Sequence, residues 1–246
     1  MSVSGADLVI YNSLNTPVND TSTAGGNIDA SMRATFDDPT SAVTISFVST
    51  SVSDTQSVAV TGRNTAGDIA SETVSLDGTT TVATSNTYER ILTCALSSSS
   101  AGVVTASGTS VNKLTDIPTG ETGFRRPFYD ATSEVSSSKN LYEKVFIKNN
   151  NSISTLNNAT LVEVSSGLYA SIEFGIENNK QSPQTISNRT TVPTGIGGGF
   201  GSSSSGLVGN QLTAADYQGV WLKLSLSAGE VANNSYYQVQ VSGTTA

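Results

Sequence analysis

Few side chains in this sequence have the type and spacing to do chemistry. Cys94, the sole cysteine, lies in Ile91-Leu92-Thr93-Cys94-Ala95-Leu96. A nucleophilic thiolate needs a base or cationic neighbour to lower its pKa. These neighbours are apolar and the chain has no histidine, so a small buried core residue is the favoured reading. Without histidine there is also no His-based triad, zincin motif or His–Cys zinc site. Paired carboxylates would suggest glycoside hydrolysis, and Glu72, Glu89, Glu143, Glu173 and Glu177 fall in or beside expected strands. Nothing in their spacing brings two of them to a working separation, and exposed strand faces need polar residues, so solvent-facing positions are favoured. Asp37-Asp38 before Pro39 could ligate Ca²⁺ with Asp54, but no Asp-x-Asp-x-Asp-Gly pattern surrounds them. A solvated turn is the better reading.

The remaining candidates are recognition residues. Arg125-Arg126 could grip a carboxylate on a partner subunit, or stand as an exposed basic pair at a domain start. Trp221 and Tyr236-Tyr237 could form a sugar platform, although Val220, Leu222 and Leu224 around the tryptophan favour a core role. The run Gly195-Ile196-Gly197-Gly198-Gly199-Phe200-Gly201 fails the last position of a dinucleotide fingerprint, and no helix pattern follows it. It reads as a flexible loop continuing into Ser202 to Ser205. Asn-x-Ser/Thr triplets start at Asn19, Asn150, Asn158, Asn188 and Asn233, which chance supplies in a chain so rich in these residues.

The elements that must position these groups are strands. Val43, Ile45 and Phe47 alternate with polar residues, as do Val58 and Val60 before Gly62. Such period-two alternation places one face on a core and the other in water. Asp77-Gly78 between Glu72–Leu76 and Thr79–Val82 reads as a hairpin turn. Leu141 to Lys148, Ala159 to Val164, Ala170 to Glu177, Gly219 to Leu226 and Tyr236 to Val241 continue the pattern. Strands at this spacing, with weak helix signals throughout, predict an all-β chain built of β-sandwiches. Ser and Thr number 71 of 246 residues, yet 36% of the chain is hydrophobic and sits in short strand-like runs. That composition fits folded strands better than disorder.

The expected division is 1–117, a sandwich with an extended N-terminal arm, and 118–246, a second sandwich carrying the Gly/Ser loop 195–205. Ile117-Pro118-Thr119-Gly120 punctuates the boundary. The first part holds 4 basic and 11 acidic residues and the second 8 and 9. The net charge of −8, with no basic run, argues against a nucleic-acid partner. No apolar run is long enough for a membrane span, and the start of the chain lacks the pattern of a secretory signal. A lone thiol fits folding in a reducing cytosol.

Several ordered stretches resemble a known family. They are Gly25-Gly26-Asn27-Ile28-Asp29, Arg33-Ala34-Thr35-Phe36-Asp37-Asp38, Gln56 to Gly67, Glu72 to Thr79 and Tyr88-Glu89-Arg90-Ile91-Leu92. In the second part they are Tyr142 to Asn149, Leu156-Asn157-Asn158-Ala159, Gly219-Val220-Trp221-Leu222-Lys223 and Ser227-Ala228-Gly229. Together they resemble structural proteins of tailed-bacteriophage virions. The resemblance implies two immunoglobulin-like β-sandwich domains in tandem, no enzymatic activity and no cofactor or metal. It also implies a capsid decoration or cement protein bound to the major capsid protein and to copies of itself, a homo-oligomer such as a trimer. The location implied is the virion surface, after assembly in the bacterial cytoplasm. The alternative is a head-fibre or tail-associated adhesin for host glycans. Arg125, Arg126, Asp37, Asp38 and Phe200 are the expected partner contacts.

Overall fold

Alternating Val, Ile, Phe and Thr make strands, and strands make up most of this chain. The computed structural model describes residues 2–36, 38–39, 41–108, 113–131, 136–166, 171–203, 205–230 and 237–245. In chain order the strands are β1 (Leu8–Asn15), β2 (Ala24–Ala34), β3 (Ile45–Ser49), β4 (Ser57–Arg63), β5 (Ile69–Ser75), β6 (Val82–Ala83), β7 (Arg90–Leu96), β8 (Val104–Gly108), β9 (Lys113–Ile117) and β10 (Gly123–Arg125). They continue as β11 (Lys139–Asn149), β12 (Leu156–Ser166), β13 (Ser171–Glu177), β14 (Thr185–Ile186), β15 (Ile196–Gly201), β16 (Ser205–Gly206), β17 (Gln211–Leu212), β18 (Tyr217–Leu226) and β19 (Tyr237–Thr245). Short 3₁₀ turns at Gly5–Asp7 and Val208–Asn210 are the helical elements among the described residues. The protein is all-β, with several antiparallel sheets.

By contact the chain forms two compact units, one of residues 1–29 with 128–246 and one of residues 30–127. This differs from the linear boundary at 117/118. The N-terminal segment is no arm of the first domain: β1 pairs with β11 from Leu8↔Asn149 to Asn12↔Val145. At the other border, β10 pairs antiparallel with β7 and parallel with Met32–Ala34 of β2. Ile117-Pro118-Thr119-Gly120 is therefore the turn between β9 and β10, inside one unit. The charge asymmetry shrinks with the corrected division. Residues 30–127 carry six basic and nine acidic residues, and the rest carry six and eleven.

In the 30–127 unit one sheet runs β10-β7-β4-β5 and the other β6-β3-β8-β9. Ile45 and Phe47 of β3 and Val104 of β8 share a core with Val58 and Val60 of β4 and Cys94 of β7. The expected alternation thus places its apolar face between two sheets, as in a β-sandwich. Tyr88, fully buried just before β7, packs on Gly62 of β4 at the register shift between Thr61 and Gly62. A Cβ at Gly62 would overlap the Tyr88 ring and lie 2.5 Å from the Arg90 carbonyl oxygen. Gly62→Ala is therefore expected to destabilise this unit by about 1–3 kcal/mol, the range of overpacked cores. Urea unfolding of the variant beside the parent checks this, and an unchanged midpoint would contradict the packing argument.

In the other unit the main sheet runs β15-β13-β18-β11-β1. Here β14 pairs with the start of β2, at Thr185↔Gly25 and Ile186↔Ala24. A second sheet has β12 between β19 on one side and β16 and β17 on the other. Strand β11 lies mid-sheet between β1 and β18 and is buried on both faces from Leu141 to Ile147. That is why its apolar residues do not alternate cleanly in sequence. The expected Gly/Ser loop is the edge strand β15, paired with β13 at Glu177↔Ile196 and Ile176↔Gly197.

Candidate functional site

The densest polar cluster at the surface of this unit converges on Arg189, a residue only 1% exposed. Three local structures deliver its partners. The turn after β1 presents Asp20, shaped by Asn19 Oδ1, which accepts the Thr21 amide at 3.0 Å and the Ser22 hydroxyl at 3.0 Å. The turn after β10 presents Asp130, and β11 presents Glu143. Arg189 follows β14 in a turn closed by Asn188 Oδ1, which accepts the Thr190 amide at 3.1 Å. The guanidinium then donates to Asp130 at 2.7 Å, Asp20 at 2.8 Å and Glu143 at 3.2 Å. Lys139 donates to the second Asp20 oxygen at 2.6 Å.

A cavity of about 340 Å³ opens here, lined by Val18, Asn19, Asp20, Thr21, Asp130 and Arg189. Burial works against the Arg189 charge, but its hydrogen bonds to Asp130 and Asp20 outweigh this and raise its pKa further. Burial likewise raises the Asp20 carboxyl, and the bonds from Arg189 and Lys139 overcome it and hold that carboxyl below its ordinary value. Carboxylates tied to a guanidinium are poor general acids or bases. The arrangement clamps three segments onto the sheet.

A second cluster lies deeper in the same unit. Lys144 of β11 and Glu177 of β13 form an ion pair at 2.8 Å, with side chains 0% and 2% exposed. Trp221 of β18 donates its indole N–H to the same Glu177 oxygen, Oε1, at 2.9 Å. Lys144 also donates to the Ser182 carbonyl at 2.7 Å and lies over the Phe146 ring at 4.6 Å. Glu177 Oε2 is buried without a hydrogen-bond partner. Desolvation lowers the Lys144 pKa, against the pull of Glu177.

In the 30–127 unit Asp54, 3% exposed, accepts from the Ser49 hydroxyl, the Ala101 amide at 2.8 Å and the Gly102 amide at 3.0 Å. Its carbonyl accepts the Gly78 amide at 2.9 Å. Asp54 so ties together the β3–β4, β5–β6 and β7–β8 loops, which expose Val52, Thr79 to Thr81 and Ser97 to Ser99. Burial pushes its carboxyl up, and the Ser49, Ala101 and Gly102 bonds together hold it below the ordinary value. A depressed pKa contributes stability that is present above about pH 4, the unfolded value, and is lost as pH falls through the folded one. Asp20 and Asp216 act in the same sense. Asp38 acts in the opposite sense, because burial raises its carboxyl more than Arg126 and Arg90 lower it. Asp54→Asn is expected to lose about 1–3 kcal/mol at pH 7. It should also flatten the fall in stability between neutral and acid pH, which urea titrations across that range measure.

The sequence candidates fare unevenly. Arg125 and Arg126 are buried, at 5% and 3% exposure, which corrects the reading of an exposed pair reaching for a partner. Arg126 pairs with Asp38 at 3.0 Å and stacks over Phe36. Asp38 also meets Arg90 at 3.4 Å, so Asp38 and Asp54 serve separate networks instead of sharing a calcium ion. Asp37, Asn233 and Tyr236 lie outside the described residues. Phe200 is half-buried and packs on Tyr142, with ring centroids 5.4 Å apart. Trp221 is fully buried, the core reading. Cys94 is buried and burial raises its thiol pKa, which removes thiolate character.

Of the five glutamates, Glu143 and Glu177 are buried ion-pair members and not solvent-facing. Glu173 pairs with Lys223 at 2.8 Å, and Glu72 accepts the Ser85 and Asn86 amides. Arg189 and Asp20 carried no signal in the sequence, where they are single charges in polar turns. Lys144 did carry one: a cation at an inward position between Tyr142 and Phe146.

No known protein family and no curated protein matches the chain. Among solved structures, weak likeness extends to capsid protein VP2 of infectious bursal disease virus. A mutant VP2 in T=1 particles is 10% identical, with 98% of this chain and 65% of that one covered and a TM-score of 0.16. A VP2 subviral particle is 12% identical, covering 97% and 70% with a TM-score of 0.15. A structure of the Gt strain is 13% identical, covering 97% and 70% with a TM-score of 0.13. The chain thus spans 65% of the length of the first of these. Likeness at this level carries no argument about fold or function.

Proposed function

We propose that this protein is a non-enzymatic structural component of a bacteriophage virion. In this reading it is a decoration or cement protein that binds the outer surface of the major capsid protein lattice and stabilises the head. The observation that carries the reading is the fate of the charges. The side chains best suited to chemistry, Arg126, Glu143, Lys144, Glu177 and Arg189, are all spent inside the fold. What faces outward is rich in neutral hydroxyls on tied-down loops and on β5, which alternates between exposed and half-buried residues. Neutral hydroxyl surfaces dock on other subunits without the penalty of desolvating ions.

The resemblance to phage virion proteins supplies the partner, and the strand order supports its immunoglobulin-like component. In the 30–127 unit, β4 lies between β5 and β7 while β3 pairs with β6 across the core. A buried tyrosine, Tyr88, precedes β7. These neighbour relations are of the kind expected for the inner strands of such sandwiches.

The test is co-sedimentation of the purified protein with assembled heads and, separately, with tails. Saturable, stoichiometric binding to heads and no hydrolase activity are expected. Binding confined to tails would overturn the cement role. One observation favours an adhesin as the second reading: the cavity beside Arg189 has a rim of Asn19, Asp20 and Thr21, polar groups of the kind that hold sugar hydroxyls. A glycan array with a hit abolished in Asn19→Ala would establish it.

A further inference from the structure

The Lys144–Glu177 pair has too many hydrogen-bonding groups for its surroundings. An ammonium has three donors and a carboxylate two acceptor oxygens. Lys144 finds two acceptors, Glu177 Oε1 and the Ser182 carbonyl, and its remaining neighbours are the Phe146 and Trp221 rings. Glu177 Oε2 has no partner at all. Both groups are sealed from water, where an unpaired oxygen of a charged carboxylate is expensive.

A secondary amide has one donor and one carbonyl oxygen. Placed here, its N–H would keep the Ser182 carbonyl, and its oxygen, the present Oε1, would keep the Trp221 indole N–H. The orphan Oε2 would be gone.

We propose that the Lys144 amine and the Glu177 carboxyl condense to an intramolecular amide that crosslinks β11 to β13. The ammonium first passes a proton to the carboxylate, which exchanges a buried ion pair for a neutral amine and acid. Desolvation of Lys144 favours this transfer. The Nζ lone pair then attacks Cδ, and the developing oxyanion on Oε1 is held by the Trp221 N–H. Collapse expels Oε2 with its proton and one amine proton as water, so no outside reactant is needed. The two strands hold the reactants in contact, which replaces the entropy of a bimolecular encounter. Gly219 makes the approach possible. A Cβ there would overlap Glu177 Oε2 and lie 2.9 Å from Lys144 Cε. The inference is independent of the virion reading, because it concerns the chain alone.

The test is the intact mass of the full chain under denaturing conditions, with fragment masses from a protease digest. The expected result is a mass lower than that of the sequence by one water, with peptides containing Lys144 and Glu177 joined. Lys144→Met should restore the full sequence mass whether or not it folds. A wild-type chain at its full mass would overturn the proposal and leave the pair ionic, held by the aromatic rings. A water loss that persists in Lys144→Met would overturn it as well, since the dehydration would then lie elsewhere.

Discussion

Replacing Arg189 with methionine is expected to lower stability by about 3–5 kcal/mol, the range for breaking a buried charge network by removing one partner. Methionine fills the volume but removes the guanidinium that Asp130 and the buried Glu143, 2% exposed, share. The Phe128 amide, 3.1 Å from Glu143 Oε1, still donates to that carboxylate but carries no full charge. Asp20 keeps Lys139, so its own loss is smaller. Arg189→Lys should fall between the parent and Arg189→Met. A lysine keeps the charge but cannot reach three carboxylates with one fork. Adding Glu143→Gln to Arg189→Met should recover part of the loss, because one of the carboxylates that the guanidinium neutralised is then removed and the two sites are in contact. Urea unfolding measures all four proteins. Hydrogen exchange of β11 locates the damage, and an unprotected β1–β11 ladder only in Arg189→Met is the expected pattern. Equal stability of Arg189→Met and parent would show that the clamp contributes nothing net.

The strands were legible because their signal is local. Val43, Ile45 and Phe47 alternate whether or not the partner strand is known, and the structure buries all three. The division of the chain was not legible, because it depends on which strand β1 chooses, and pairing with β11 across more than a hundred residues leaves no local trace. Charged residues were misread for a related reason. A solvent position is the sound default for a glutamate or an arginine, and it holds until several distant residues converge to satisfy one another. Arg126 needed Asp38 and Phe36, and Glu143 needed Arg189. Each partner is ordinary in its own sequence neighbourhood. Lys144 went unread, although a cation between Tyr142 and Phe146 on a strand conflicts with the local pattern, and such conflicts mark sites where tertiary structure imposes a special demand.

That conflict also predicts a damaging small substitution in the 128–246 unit. Gly219→Ala adds one methyl group on β18, opposite Phe146 of β11. The methyl would overlap Glu177 Oε2 and stand 2.9 Å from both Glu177 Cδ and Lys144 Cε. Neither neighbour is a free end. The carboxyl is fixed by the Trp221 indole, and the lysine stem is fixed by the Ser182 carbonyl. Relief requires Glu177 to withdraw from Lys144, which breaks the buried ionic pair and keeps the two groups from meeting to condense. Overpacking alone costs about 1–3 kcal/mol, and separating the buried pair raises the expected loss to about 3–5 kcal/mol. Gly201→Ala, on β15 of the same unit, is the control, because its Cβ would meet nothing within 4 Å. Its expected effect is within about 0.5 kcal/mol of zero. A double-mutant cycle isolates the cause. In a Glu177→Ala background the carboxylate is absent, and the alanine at position 219 should then add little further loss. If Gly219→Ala costs the same in both backgrounds, the damage arises in β18 itself. If the cost collapses in the second, the glycine is there to let a lysine and a glutamate meet inside the protein.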